Sequence, residues 1–237
     1  MKPAKISYKI ISPLHWQDFS GGEWLKEQEQ ILLDRYLAKI YGYYLIKLGH
    51  LSTEMDCQQS MIRNHINVAA APNIARGIVA ELTALPIQQS SVDLCLLSHT
   101  LDFASDPHQI LREVERVLTS DGYIILSGFN PLSLMGVRGY LGRRRVIPWA
   151  CRMFAPMRVK DWLHLLGFEV LHDERYAFTS FSGVKPIGDW LENGGRKYAR
   201  TFSSCYFIVA RKRTSFLTPI SNKWRLKKAI SVTPLAS

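Results

Sequence analysis

The sequence predicts an α/β fold built on a mostly parallel sheet covered by helices, and three adjoining stretches predict it. Val92 to Leu97 (VDLCLL) is an apolar run of strand length, broken only by Asp93. A run without alternation reads as a strand buried on both faces, as in a parallel sheet. Asp106-Pro107 then opens a helix: Asp106 suits the N-cap, Pro107 the first helical position, and Gln109 stands three residues on from the cap. Ile110, Leu111, Val114, Val117 and Leu118 recur at helical spacing as one apolar stripe. Asp121-Gly122 stops the helix, and Tyr123 to Leu126 (YIIL) starts the next strand. A strand, helix and strand joined this way form a right-handed crossover with parallel strands. Ligands in such sheets bind beyond the carboxyl ends of the strands, so the loops Ser98–Phe103 and Ser127–Pro131 are the first candidates for function.

The 237 residues, 47% of them hydrophobic, suit one α/β domain with elaborations. Cys57, Cys95, Cys151 and Cys205 are scattered, with no C-x-x-C and no histidine at metal-ligand spacing, which argues for a reducing compartment and against a structural zinc site. No apolar run approaches the ~20 residues of a membrane span, so a soluble cytoplasmic protein is expected. The net charge of +10 is unevenly placed. Residues 1–136 carry 11 Lys+Arg against 14 Asp+Glu, whereas residues 185–237 carry 11 against 2. A basic carboxyl-terminal quarter could meet nucleic acid, an anionic membrane surface or an acidic partner, or simply aid solubility.

Ahead of the sheet, Glu23 to Tyr41 reads as a long helix after the turn at Gly21-Gly22. Trp24, Leu25, Ile31, Leu32, Leu37 and Ile40 lie close to one face, with Glu23, Lys26, Glu27, Glu29 and Lys39 largely on the other. Tyr43 to Leu48 reads as the first strand and is followed by Gly49-His50-Leu51, where a glycine lets the backbone approach a bound cofactor. The loop has one glycine, not the G-x-G-x-x-G of a dinucleotide site. Ser52–Arg63 is expected as a short helix, His65–Ala70 as a second strand and Gly77–Glu81 as a third. Ala69, Ala70 and Ala71 stand where many adenosine-binding folds place a ribose-binding carboxylate. Later come a possible helix over Ser133–Tyr140, the exposed Arg143-Arg144-Arg145, an amphipathic helix over Arg158–Leu166, a sixth strand from Phe168 to Leu171, a variable region over Ser182–Arg200 and a last strand over Ser204–Ala210.

Leu85-Pro86, Ser91-Val92-Asp93-Leu94, Ser98-His99, Asp106-Pro107, Leu111-Arg112-Glu113-Val114, Arg116-Val117-Leu118 and Asp121-Gly122 together resemble the pattern of type-11 class I S-adenosylmethionine-dependent methyltransferases. That group includes the ubiquinone/menaquinone-type enzymes. Gly128-Phe129-Asn130-Pro131, Asp161-Trp162-Leu163, Gly167-Phe168-Glu169 and Leu217-Thr218-Pro219-Ile220 resemble bacterial proteins of the YafS type. The resemblance implies a Rossmann-like seven-stranded sheet, six strands parallel and the last antiparallel, with flanking helices. It divides the chain into an N-terminal helical extension (1–42), a class I methyltransferase-like domain (43–213) and a basic C-terminal tail (214–237).

The resemblance also implies S-adenosyl-L-methionine as cofactor, with Gly49, His50 and Leu51 at the glycine loop, Glu81 and Leu82 near adenine, and Ser98 with His99 under the methionine end. The family's acid-x-Gly-x-Gly loop is reduced here to Lys47-Leu48-Gly49-His50-Leu51, with Lys47 near the usual acidic position. Methyl transfer is an in-line displacement in which the protein aligns the reactants and excludes water. Where the acceptor needs deprotonation, His99 is the best-placed candidate base. Three readings follow: a methyltransferase acting on an unidentified small molecule, a catalytically degenerate scaffold that keeps the fold, or an RNA-directed methyltransferase that uses the basic C-terminal region.

Overall fold

The structure is a computed structural model that describes residues 12–70, 77–133, 136, 151–178 and 202–213. The basic run Arg143–Arg145, the variable region 182–200, the tail 214–237 and most of the helix expected over 133–140 lie outside them. The strands are β1 (Tyr44–Leu48), β2 (Asn64–Ala69), β3 (Gly77–Val79), β4 (Val92–Leu97), β5 (Leu118–Phe129), β6 (Phe168–Tyr176) and β7 (Cys205–Lys212). They form one seven-stranded sheet in the order β3-β2-β1-β4-β5-β7-β6. β1 to β5 pair in parallel, and β7 runs antiparallel to both β5 and β6. This is the architecture that the resemblance implies.

Helices cover both faces. α1 (Gly22–Leu37) packs with Trp16 and Phe19 on one, where Leu45, Leu94, Leu96, Ile125, Phe207 and Val209 meet Leu25, Leu32, Leu33 and Leu37. α3 (Pro107–Val117) and α4 (Pro156–Leu165) cover the other, over Ile46, Leu48, Cys95, Leu97, Ile124, Leu126 and Ile208. The two lists alternate along each strand, as the pleat requires. At the tip of β1 a single turn, α2 (His50–Thr53), replaces the longer helix expected over Ser52–Arg63.

The organising unit folds as its sequence reads at the start of α3. Asp106 Oδ1 accepts from Gln109 N at 3.1 Å with Pro107 at the first helical position. The Gln109 amide does not close a capping box but donates to Thr83 O at 3.4 Å. At the other end the chain enters β5 at Leu118, and Asp121-Gly122 form an irregularity between the pairs Val92–Leu118 and Leu94–Tyr123. A bulged strand with Asp121 at φ 65° carries the turn there.

The helix-face assignment in α1 needs correction at two residues. Glu29 is fully buried, whereas Ile31 is 57% exposed. The buried stripe runs Leu25, Glu29, Leu32, Leu33, Tyr36 at three- and four-residue spacing, so Glu29 shares the phase of the leucines. Leu165 is likewise exposed at the end of α4.

Candidate active site

The parallel strands bring the tips of β1, β4 and β5 side by side, and the loops that leave them form one bonded layer. Leu48 O, the last carbonyl of β1, accepts from both Ser52 Oγ and Thr100 Oγ1 at 2.6 Å. Ser52 Oγ in turn accepts from Ser98 N at 2.7 Å, which ties α2 to the tip of β4. Gly49 opens α2 at φ 90°, a conformation that side chains disfavour. A Cβ there would also lie 2.9 Å from Thr100 Oγ1, so the glycine serves close contact between the two loops.

His99 follows at φ 52°, left-handed and strained for a residue with a side chain. Its imidazole is fully buried, against Phe129 with ring centroids 4.1 Å apart and edge-on to Trp16 at 5.7 Å. Nδ1 lies 3.0 Å from Asp102 Oδ2, an oxygen that also accepts from Phe129 N at 2.9 Å. With Asp102 ionised Nδ1 donates and Nε2 is the basic nitrogen; with Asp102 protonated the roles reverse. Nε2 lies 3.5 Å from both Tyr176 Oη and Glu29 Oε2.

Glu29 completes the cluster from α1. Its two oxygens accept from Ser127 Oγ and Tyr176 Oη, each at 2.9 Å, and Ser127 Oγ accepts from His99 N at 3.1 Å. Glu29, His99, Asp102, Ser127 and Tyr176 are all buried to within 1%. Burial pushes the His99 imidazole down to about 4, against the pull of Glu29. Burial likewise raises the Asp102 carboxyl well above the usual carboxylate range, opposed by the Phe129 N–H. Both shifts favour the neutral forms of His99 and Asp102.

Sequence reasoning picks out His99, reaches Asp102 and Ser127 only as members of the two candidate loops, and misses Glu29 and Tyr176. For Glu29 the signal was present in its spacing from Leu25, Leu33 and Tyr36. For Tyr176 none was, because its role depends on β6 reaching α1 across the sheet.

Of the residues expected at a cofactor, Gly49, Leu51, Ser98 and His99 are gathered at the tips of β1 and β4 and are buried, with His50 half-buried beside them. Glu81 and Leu82 lie beyond the end of β3, two strands away, with Glu81 exposed. Lys47 is buried on the α1 side and donates from Nζ to Met55 O at 2.6 Å. The roof over this edge is the N-terminal segment: Trp16 is fully buried, and its Nε1 donates to Leu51 O at 3.0 Å.

The seven-strand order with its antiparallel β7, and a polar cluster at the carboxyl edge, define a class I methyltransferase fold. The methyltransferase-domain family model of type 11 matches residues 38–126. The uncharacterised protein YafS of Escherichia coli (strain K12) is 38% identical over 242 residues, which cover 98% of this chain and 97% of YafS. The chain belongs to the class I S-adenosylmethionine-dependent methyltransferases of type 11, and within them to the group that contains YafS.

Among solved structures, a putative methyltransferase of Haloferax volcanii in complex with the Trm112 activator superposes with a TM-score of 0.60 at 14% identity, over 81% of this chain and 93% of that one. A Thermotoga maritima S-adenosylmethionine-dependent methyltransferase, possibly a histamine N-methyltransferase, gives 0.55 at 20% identity, over 84% and 99%.

S-adenosylmethionine is the family's cofactor, and the residues present fit it at two places. At the tip of β1 the first-turn amides of α2 have no intrahelical acceptor, and the buried Ser98 hydroxyl has no partner among the described residues. Beyond β3 Glu81 offers an exposed carboxylate, while Ala69 and Ala70 at the end of β2 offer none. Among the described residues no group of His, Cys, Asp and Glu could hold a metal ion, and no helix is long and apolar enough to cross a membrane.

Proposed function

We propose that the protein methylates a small-molecule acceptor at the carboxyl edge of its sheet, with His99 as the group that takes the acceptor's proton. The observation that carries this reading is the buried cluster Glu29–Ser127–Tyr176–His99–Asp102 beneath Trp16. Five polar side chains withdrawn from water cost stability unless their hydrogen bonds are met. Here those of Glu29, Ser127 and Tyr176 are met, Asp102 Oδ1 has no partner among the described residues, and the bonds hold the imidazole in one place.

When bound, S-adenosylmethionine supplies a methyl group on a sulfonium, ready for in-line displacement. The chain's own residues do the rest. The α2 amides, with His50 and Leu51, would receive the donor's charged end, Ser98 would give its hydroxyl, and Glu81 with Leu82 would hold the adenine. Gly49 keeps the β1 and β4 loops in contact. Asp102 holds the His99 ring through Nδ1, and with Asp102 ionised Nε2 would take the acceptor's proton.

The imidazole is fully buried beneath Trp16, and admitting a small acceptor displaces less of this roof than admitting a polymer. The RNA-directed reading draws on Arg143–Arg145 and residues 214–237, outside the described residues. A scaffold reading is favoured by Lys47 being committed to Met55 O and by the missing ribose carboxylate. The free cysteines, three of four buried, support a cytoplasmic setting.

Titration calorimetry of the full chain with S-adenosylmethionine separates enzyme from scaffold. Saturable binding is expected, weakened at least tenfold in Gly49→Val. Absence of heat at millimolar cofactor would overturn the enzyme in favour of the scaffold.

A further inference from the structure

Glu29 and Asp102 approach the two nitrogens of one imidazole, and the donors and acceptors around that ring do not balance with both carboxylates ionised. Glu29 Oε1 accepts from Ser127 Oγ and Oε2 from Tyr176 Oη, each at 2.9 Å. A tyrosine has one proton to give, and Tyr176 gives it to Glu29. His99 Nε2 lies 3.5 Å from Tyr176 Oη and from Glu29 Oε2, so it faces lone pairs only. A nitrogen so placed is satisfied by carrying the hydrogen itself.

The consequence passes through the ring. A neutral imidazole has one N–H, so a hydrogen on Nε2 makes Nδ1 an acceptor. Its neighbour at 3.0 Å is Asp102 Oδ2, which must then supply the proton. Asp102 is also the carboxyl with the weaker support for a charge: Oδ2 accepts from Phe129 N at 2.9 Å, whereas Oδ1 has no partner among the described residues. Burial raises its pKa, in the same sense.

Nothing nearby offsets a second negative charge. Among the described residues Glu29 and Asp102 form ion-pair contacts with His99 alone, and all three are fully buried. Burial pushes Tyr176, Tyr206 and Cys151 up, so these neighbours stay protonated, and Cys205 beside them is buried. Arg175, whose charge reaches Tyr206, pairs with Asp173 at 3.0 Å. Two carboxylates this close in a dry interior do not both ionise; one takes a proton instead.

We infer that Glu29 and Asp102 hold one proton between them across His99, and that Glu29 is the positioning residue that sets which imidazole nitrogen is basic. At rest the proton is on Asp102, the charge on Glu29 and the ring hydrogen on Nε2. Arming the base shifts two protons and leaves the net charge unchanged. The Asp102 O–H bond breaks as Nδ1–H forms, and Nε2–H breaks as a Glu29 O–H forms, directly or by way of the Tyr176 hydroxyl. Nε2 is then bare for the acceptor's proton. That use rests on the methyl-transfer reading above; the sharing of the proton does not. The competing account is a packing key, with Glu29 serving only to seat α1.

Nitrogen NMR of the full chain, isotopically labelled at histidine, reads the tautomer directly, with the His99 signals assigned by their loss in His99→Asn. The wild type at neutral pH should show His99 with its hydrogen on Nε2. In Glu29→Gln the charge has only Asp102 to rest on, and the ratio of the Nε2–H to the Nδ1–H form should fall about tenfold or more. Tyr176→Phe, which takes one donor from Glu29 and keeps the ring, should move the ratio the same way and decides the matter where Glu29→Gln does not fold. A wild type with the hydrogen on Nδ1, or with both nitrogens protonated at neutral pH, overturns the shared proton. So does an unchanged tautomer in the folded variants, whatever their melting temperatures, because a packing key moves stability and not the tautomer. The expected change of tautomer in a chain that gives no heat with S-adenosylmethionine would sink the methyl-transfer reading and leave the shared proton standing.

Discussion

His99 shows how one residue is bent to its task by its neighbours. Its backbone is left-handed, its Nδ1 is engaged by Asp102, and its Nε2 faces Tyr176 and Glu29. Because burial holds its pKa near 4 in the folded chain, against about 6.5 unfolded, the unfolded state binds the extra proton between those values. Stability therefore falls as pH drops from about 6.5 toward 4. Asp102, with its raised pKa, acts in the opposite sense: the folded state holds its proton more tightly, and that contribution fades as pH rises. The comparison that isolates the histidine is chemical denaturation of wild type and His99→Asn at a series of pH values. The wild type should lose stability across this window with a steeper slope than the variant. Equal slopes would mean that folding does not lower the imidazole's pKa.

Among the elements, α3 is the one whose sequence says most. Its cap, its proline and its stripe are local signals, and each is met in the structure. Asp106→Ala should cost about 1 kcal/mol, read as a lower denaturation midpoint with an unchanged slope; no loss would mean that solvent caps the helix equally well. The strands were legible to within a few residues for the same local reason, since an apolar run between turn residues needs no tertiary information. β6 was read too short because past Leu171 its residues are largely polar, and only pairing with β7 extends it to Tyr176. The site was legible only in part. Gly49, Ser98 and His99 announce themselves by position after strands, whereas Glu29 and Tyr176 come from elements 147 residues apart. Their meeting is fixed by topology, which no short window of sequence contains. An acidic residue in a helix was assigned to the solvent face, as most are, and here the phase of the leucines overruled the charge.

At the scale of the whole molecule, the sheet needs both its covers. Residues 12–42 hold Trp16, Phe19 and the buried stripe of α1, which seal one face of the sheet, so an extension in sequence is a layer in structure. We expect a chain lacking residues 1–42 to be insoluble or unfolded by circular dichroism, and one lacking 214–237 to melt within a few degrees of the full protein. A well-folded product of the first truncation would mean that residues 43–213 stand alone. Apolar packing by itself is forgiving, and a greasy helix can slide by a turn on a greasy sheet at little cost. The carboxylate of Glu29, reaching Ser127 and Tyr176 through that layer, cannot slide without stranding itself and two hydroxyls in a dry interior. It works as a key in a keyway: the helix has one seating, and the tryptophan ahead of it comes to rest over the histidine each time the chain folds.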